Sequence, residues 1–329
     1  MKAWQVAQLG EPRDVLQLTE VDDPVAGPGQ VLVRVLAAPG NFPDVLLCRG
    51  QYQIKPPLPF TPGVELCGEV LAVGAGVDRF AAGDRIVGTA NLPGGGFAEL
   101  AVLDAENAFP APASLDDAEA AALVIGYQTS WFALHRRTRL LPGETLLVHA
   151  AAGGVGSTAV QLGKAAGAKV IGVVGGAAKA DYCRALGADL VIDRHTEDFV
   201  PIVKEFTDGR GADVVYDPVG GDAYAKSTKC VAFEGRILVI GFAGGTIPQP
   251  ALNHALIKNY SIIGLHWGLY KQYNQRAIHD CHAELTRLAD EGLVKPLISE
   301  RLSLADVPEG LGRLGDGETV GRIVFQPGI

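Results

Sequence analysis

The run Leu146-Leu-Val-His-Ala-Ala-Ala-Gly-Gly-Val-Gly156 decides the fold of this chain. An apolar, strand-forming stretch over residues 145–150 enters a cluster of small residues. There Ala151, Gly153 and Gly156 keep the spacing G-x-G-x-x-G, with alanine in first place. A helical stretch follows to about Gly167. Glycines at such a turn let the backbone approach a pyrophosphate, and the unpaired N–H groups of the helix N-terminus face the anion. Gly153, Gly154, Val155 and Gly156 are the expected phosphate-binding residues. Alone, the loop also reads as a tight strand–helix turn; inside a βαβ unit it points to a dinucleotide.

Downstream, strands are predicted over 169–174, 189–193, 213–217, 236–241 and 261–265, with helices over 177–186 and near 197–206. Alternating strands and helices imply a doubly wound parallel sheet with right-handed crossovers. Upstream, residues 1–120 read as all-β. Short apolar stretches at 31–36, 64–73 and 97–102 are punctuated by Gly and Pro clusters, without a helical period. Helical spacing over 272–292 and a closing strand at 322–325 complete an α/β chain.

The second strand of the βαβ unit chooses between cofactors. An NAD site places an acidic residue about 20 positions after the loop, on the ribose 2′-hydroxyl. Here the strand ends Val173-Val174-Gly175-Gly176, with no acid before Asp181. Gly175 leaves room for a 2′-phosphate and Lys179 supplies positive charge, so NADPH is the expected cofactor. Lys179 also reads as an ordinary solvated helix lysine.

Composition bounds the partners. A formal net charge of −9 argues against nucleic acid and anionic membranes, which require a basic surface. The opening MKAWQVAQLG lacks the apolar core of a signal peptide, and the apolar run near residues 120–127 is far too short to span a membrane. Five scattered cysteines without a C-x-x-C pair fit free thiols in a reducing cytoplasm.

Six motifs in order carry a resemblance: Asn41-Phe-Pro-Asp44, Pro62-Gly-Val-Glu-Leu-Cys-Gly68, Gly83-Asp-Arg-Ile-Val87, Gly94-Gly-Gly-Phe-Ala-Glu99, the glycine loop, and Tyr216-Asp-Pro-Val-Gly-Gly221. Over essentially the whole chain the sequence resembles the medium-chain dehydrogenase/reductase superfamily, in its zinc-free quinone oxidoreductase (ζ-crystallin-like) branch. The resemblance implies a GroES-like catalytic domain over 1–120, completed by 266–329, and a Rossmann NADPH-binding domain over 121–265, with the cofactor in the cleft between them. It implies a homodimer, usually through the Rossmann sheet edge, for which 261–265 is the candidate strand.

The same resemblance assigns roles. Tyr52, in Arg49-Gly-Gln-Tyr52, is the expected catalytic donor, because a phenol donates a hydrogen bond or a proton at neutral pH. Asn41 is the second expected catalytic residue, facing the nicotinamide ribose or the substrate. Thr129 contacts the nicotinamide end, and the turn Gly241, Phe242, Ala243 passes the carboxamide. Arg194 stands on the adenosine side, and Arg322 where relatives often carry a basic residue. Leu265-His-Trp-Gly268 is expected to line the substrate cleft, and Leu46 stands where relatives often have a second tyrosine. Structural readings compete: Tyr52 wedged beside Pro56 and Pro57, Asn41 as an Asx-turn residue, Trp267 as interface or core.

No metal is expected. Zinc alcohol dehydrogenases carry Cys where Asn41 stands and Gly-His-Glu where this chain has Gly63-Val64-Glu65, and a catalytic zinc needs three protein ligands. His279-x-x-His282 reads as a solvated helix face and His149 as a core histidine. Without a Lewis acid, conjugate reduction is favoured over alcohol oxidation. The expected reaction is hydride transfer from NADPH to a small quinone or α,β-unsaturated carbonyl. The alternatives are enoyl-thioester reduction and a non-catalytic NADPH-binding protein.

Overall fold

The computed structural model describes residues 1–328. The chain folds as two compact units, one formed by Met1–Ile125 with His282 onward, the other by Gly126–Cys281.

The first unit grows from the strand Gln30–Pro39, whose alternation sends Val31, Val33 and Val35 into the core. Glu65–Val73 and Leu100–Asp104 both pair with it antiparallel. The chain's last strand, Arg322–Gln326, also joins it antiparallel, with Phe325 opposite Ala38 and Val324 opposite Pro39. Phe325 then meets Phe97 edge-on, ring centroids 5.2 Å apart. A C-terminal strand is therefore an internal member of the N-terminal sheet, flanked on its other side by Ile298–Ser303.

The all-β reading of the first 120 residues needs correction. Phe42–Cys48 is a helix, its first turn held by the Asp44 carboxylate, which accepts the Asn41 backbone N–H at 3.0 Å, while the Asp44 N–H donates to the Asn41 main-chain carbonyl at 2.9 Å. At seven residues it is too short to print a 3.6-residue period on the sequence. Pro12–Val15 and Asp117–Ala121 are short helices too, the latter with a capping box between Asp116 and Glu119.

The second unit holds one six-stranded parallel sheet in the order Leu190–Asp193, Lys169–Val174, Thr145–His149, Ala212–Asp217, Val231–Val239, Ser261–Gly264. In sequence terms this is 3-2-1-4-5-6, the doubly wound order. Thr145–His149 and Ala212–Asp217 are buried along their whole length, as a central parallel strand covered on both faces must be. The order reverses between these two strands, which places the ligand-binding crevice of such a sheet at their carboxyl ends. The fifth strand starts at Val231 rather than near 236, preceded by a helix Gly221–Cys230 that the sequence did not announce.

All five cysteines are free and buried. Among the described residues no helix is long and apolar enough to cross a membrane.

Candidate active site and cofactor cradle

The glycine loop sits at the carboxyl end of Thr145–His149. Ala150 takes a positive φ of 48°, Gly153 caps the helix with extended backbone, and Gly154–Ala165 follows. A Cβ at Gly156 would lie 2.1 Å from the Ala150 carbonyl oxygen, so only glycine fits there. Gly163, two turns on, would place a Cβ 2.6 Å from Leu146, which sets how closely helix and strand pack. The first backbone N–H to find a helical partner is that of Ser157, on Gly153 O at 2.9 Å. The amides of Gly154, Val155 and Gly156 are thus available to an anion. The cradle fits a pyrophosphate.

Gly175, Lys179 and Arg194 come together at the end of the neighbouring strand. A Cβ at Gly175 would approach Arg194 Nε to 3.1 Å and His195 Nε2 to 3.0 Å. Burial lowers the Lys179 pKa, and the nearby Arg194 charge lowers it further. Two cations held this close suit an anionic ligand group. Asp193 shares the corner, but its Oδ1 accepts from the backbone N–H groups of Gly176 (2.9 Å) and His195 (3.0 Å). Its carboxylate braces the loop.

Thr129 lies half-buried on the helix Ile125–Trp131. Its neighbour Ser130 is fixed in a buried hydroxyl cluster: Ser130 Oγ stands 2.7 Å from Thr158 Oγ1 and 2.9 Å from the Tyr216 hydroxyl. Thr158 in turn donates to the carbonyls of Val155 and Gly126. The cluster ties the helix carrying Thr129 to the phosphate helix and to the motif Tyr216–Gly221. Burial pushes the Tyr216 phenol upward, so it stays protonated as a donor. The turn Gly241, Phe242, Ala243 hangs on the same motif, with Ala243 N–H donating to Pro218 O at 3.0 Å. Trp267 Nε1 donates to Gln128 Oε1 at 3.1 Å, which places the indole beside Thr129's own helix.

In the first unit Asn41 and Arg322 meet, with a residue that sequence reasoning left unassigned. Glu65 is 0 % exposed and Arg322 4 %. Arg322 donates through Nη2 to Glu65 Oε1 and through Nη1 to Asn41 Oδ1, the latter at 3.0 Å. Asn41 Nδ2 donates to Glu65 Oε1 at 2.9 Å and to Pro39 O at 3.3 Å. Glu65 Oε2 accepts the Ile125 N–H at 2.6 Å. Asp44 accepts from the backbone N–H groups of Asn41, Gly63 and Val64. Burial still pushes its carboxyl up to about 7, against those three hydrogen bonds. Both Asn41 amide protons are therefore engaged, and its oxygen keeps capacity for one further donor. Arg322 Nε is buried without a partner among the described residues.

Tyr52 packs half-buried on the core of this unit. Burial, then the Asp44 charge, raises its pKa, so the phenol keeps its proton at neutral pH. Gly175, Lys179 and Arg194 form one group, the glycine loop a second, Asn41 with Arg322 a third; Tyr52 stands near Asp44 outside that third group. Glu65 had one signal available, a carboxylate inside the apolar run Val64–Val70.

His149 is buried, with Nε2 2.8 Å from Ser227 Oγ, and burial pushes its pKa down to about 4. His282 departs from the solvated face expected of it. It is buried, stacked on Phe109 at 4.4 Å, with Nε2 3.2 Å from Pro110 O. Among the described residues no three His, Cys, Asp or Glu side chains converge to hold a metal ion. Where zinc enzymes place ligands, this chain has an amide, a valine and a carboxylate already paired to a guanidinium. That donor set does not fit zinc.

Comparison with known proteins agrees with this geometry. Residues 27–113 match the family described as Alcohol dehydrogenase GroES-like domain, and residues 154–282 the one described as Zinc-binding dehydrogenase. Quinone oxidoreductase-like protein 2 homolog of Nematostella vectensis is 38 % identical over 326 residues, covering 98 % of this chain and 88 % of the relative. Quinone oxidoreductase of Pseudomonas syringae pv. Tomato is 35 % identical with a TM-score of 0.91, over 99 % of both chains. Escherichia coli quinone oxidoreductase, solved in complex with NADPH, is 31 % identical with a TM-score of 0.91, over 99 % of this chain and 100 % of its own. With this sheet order, this glycine turn and these relatives, the chain belongs to the quinone oxidoreductase branch of the medium-chain dehydrogenase/reductase superfamily.

Proposed function

We propose that this oxidoreductase binds NADPH and reduces a small quinone or α,β-unsaturated carbonyl without zinc. The observation that carries the reading is the Gly153–Gly156 turn, where the Ala150 carbonyl excludes any side chain at Gly156 and three first-turn amides have no helical partner. The second unit serves as the cofactor domain and the first, with its C-terminal strand, as the catalytic domain. Gly154, Val155 and Gly156 hold the pyrophosphate; Lys179 and Arg194 hold the 2′-phosphate; Thr129 and the turn Gly241–Ala243 orient the nicotinamide end. Bound NADPH supplies a hydride to an electrophilic carbon.

The chain's own part is orientation and charge. Tyr52, protonated at neutral pH, donates a hydrogen bond to the substrate oxygen as negative charge develops there, and then its proton. Asn41 Oδ1 accepts from a ligand hydroxyl. Arg322, spent on Glu65 and Asn41, acts by holding Asn41 and has Nε left for one further acceptor. The paired carboxylate and guanidinium leave no ligand set for a metal, so chelators leave the activity unchanged.

A homodimer through Ser261–Gly264 is part of the proposal. That strand ends the sheet, and Leu256 and Ile257 on the preceding helix are 78 % and 71 % exposed. Sedimentation velocity reads the dimer, and a monomer at micromolar concentration would contradict it. Free buried thiols favour the cytoplasm.

The test of function is stopped-flow mixing of the NADPH-loaded protein with 1,2-naphthoquinone. Rapid loss of NADPH absorbance, insensitive to chelator, is expected. NADPH held without oxidation would leave a binding protein. Chelator-sensitive alcohol oxidation would overturn the zinc-free reading.

A further inference from the structure

Glu65 has no role in the reaction as proposed, yet its carboxylate is the hub of the buried group around Asn41. An asparagine side chain presents oxygen and nitrogen on nearly identical shapes, and its orientation is fixed only by the chemistry of its neighbours. Here those neighbours are unambiguous. A guanidinium only donates and an ionised carboxylate only accepts. Arg322 Nη1, 3.0 Å from one end of the amide, must face the oxygen, and Glu65 Oε1, 2.9 Å from the other, must face the nitrogen. Glu65 is itself held at its second oxygen by the Ile125 N–H at 2.6 Å, and it pairs with Arg322 directly.

We propose that Glu65 is a positioning residue that, together with Arg322, locks the Asn41 carboxamide so that it offers a ligand only its oxygen. The site then recognises a hydrogen-bond donor at this point, a hydroxyl rather than a carbonyl. The inference deepens the proposed function, on which it rests for the identity of the reaction.

Two measurements test it. Wild-type Asn41 side-chain amide protons should exchange with solvent slowly, as a hydrogen-bonded buried pair does; exchange at the rate of a surface asparagine overturns the lock. This readout needs no substrate and no variant. Next, Glu65→Gln, Asn41→Ala and the double variant are compared in single-turnover oxidation of NADPH by 1,2-naphthoquinone. Gln can donate as well as accept, so in Glu65→Gln the amide loses its fixed acceptor and is held by Arg322 alone. Each single change should slow the step about tenfold, and the double variant no further, because Glu65 acts through Asn41. Multiplying effects would show that Glu65 acts independently of Asn41 and would overturn the proposal. If wild-type protein fails to oxidise NADPH, the reaction assigned above fails, and the amide exchange alone decides the lock.

Discussion

In the first unit one buried amide is held by a carboxylate and a guanidinium, Glu65 and Arg322; in the second a buried cluster of hydroxyls, Ser130, Thr158 and Tyr216, stands beside a turn of bare backbone. The difference follows from what each must do. A turn that receives phosphate needs unspent N–H groups and no side chains, and the hydroxyl cluster beside it ties its helix in place without adding charge of its own. An amide that must face one way needs neighbours of fixed donor and acceptor type, and only ions are that strict. Ions are costly to bury and costlier to separate, whereas hydroxyls exchange roles at little penalty. The two units should therefore answer perturbation on different scales.

The largest effect is expected in the ionic cluster. Arg322→Met leaves Glu65 buried without its cation and should destabilise the protein by about 3–5 kcal/mol in urea unfolding. A loss below about 1 kcal/mol would mean that water reaches the pair.

Acid comes next, and it acts on the second unit. Folded His149 titrates near 4 and an unfolded histidine near 6.5, so between those values the unfolded chain binds the extra proton. Stability from this group is complete above about 6.5 and falls as pH drops toward 4, by about 3 kcal/mol in all. Asp44, raised to about 7, has the opposite sign: its contribution falls as pH rises from about 4 to 7. The histidine part is isolated by difference, since His149→Asn should lose less stability than wild type on going from pH 6.5 to 4.5. Parallel profiles would contradict a depressed His149.

Lys179→Ala should cost roughly 1.5–3 kcal/mol of NADPH affinity, about 10- to 100-fold in Kd, and leave NADH binding unchanged. Calorimetric titration with both cofactors reads this. Equal losses would place Lys179 away from the 2′-phosphate.

The smallest effect belongs to the hydroxyl cluster. Tyr216→Phe removes one member and should cost about 1 kcal/mol of stability, because Ser130 can turn its proton to the Val155 carbonyl 3.1 Å away. A loss as large as that of Arg322→Met would erase the contrast between the two units.

These contrasts were unequally visible in the sequence. The glycine turn and the alternating strands are local features, each written within about ten residues, and both can be read there. The helix Phe42–Cys48 is local too, but its signal is the Asn41-x-x-Asp44 start rather than a period. The cluster around Asn41 is not local. Glu65 lies 24 positions from Asn41, and Arg322 lies 257 from Glu65 and 281 from Asn41. Only the pairing of the last strand with Gln30–Pro39 brings them together. His282 misled for a related reason, since helical spacing shows which residues share a face but not that Phe109 would cover it.

The most direct test compares NADPH binding by the wild-type protein and by Gly156→Ala. The account predicts saturable binding to the wild type and a loss of about 100-fold or more in the variant, some 3 kcal/mol, with the fold intact by circular dichroism. Equal affinity in the two proteins would show that the cofactor does not rest on this turn, and the assignment of the second unit would fall with it.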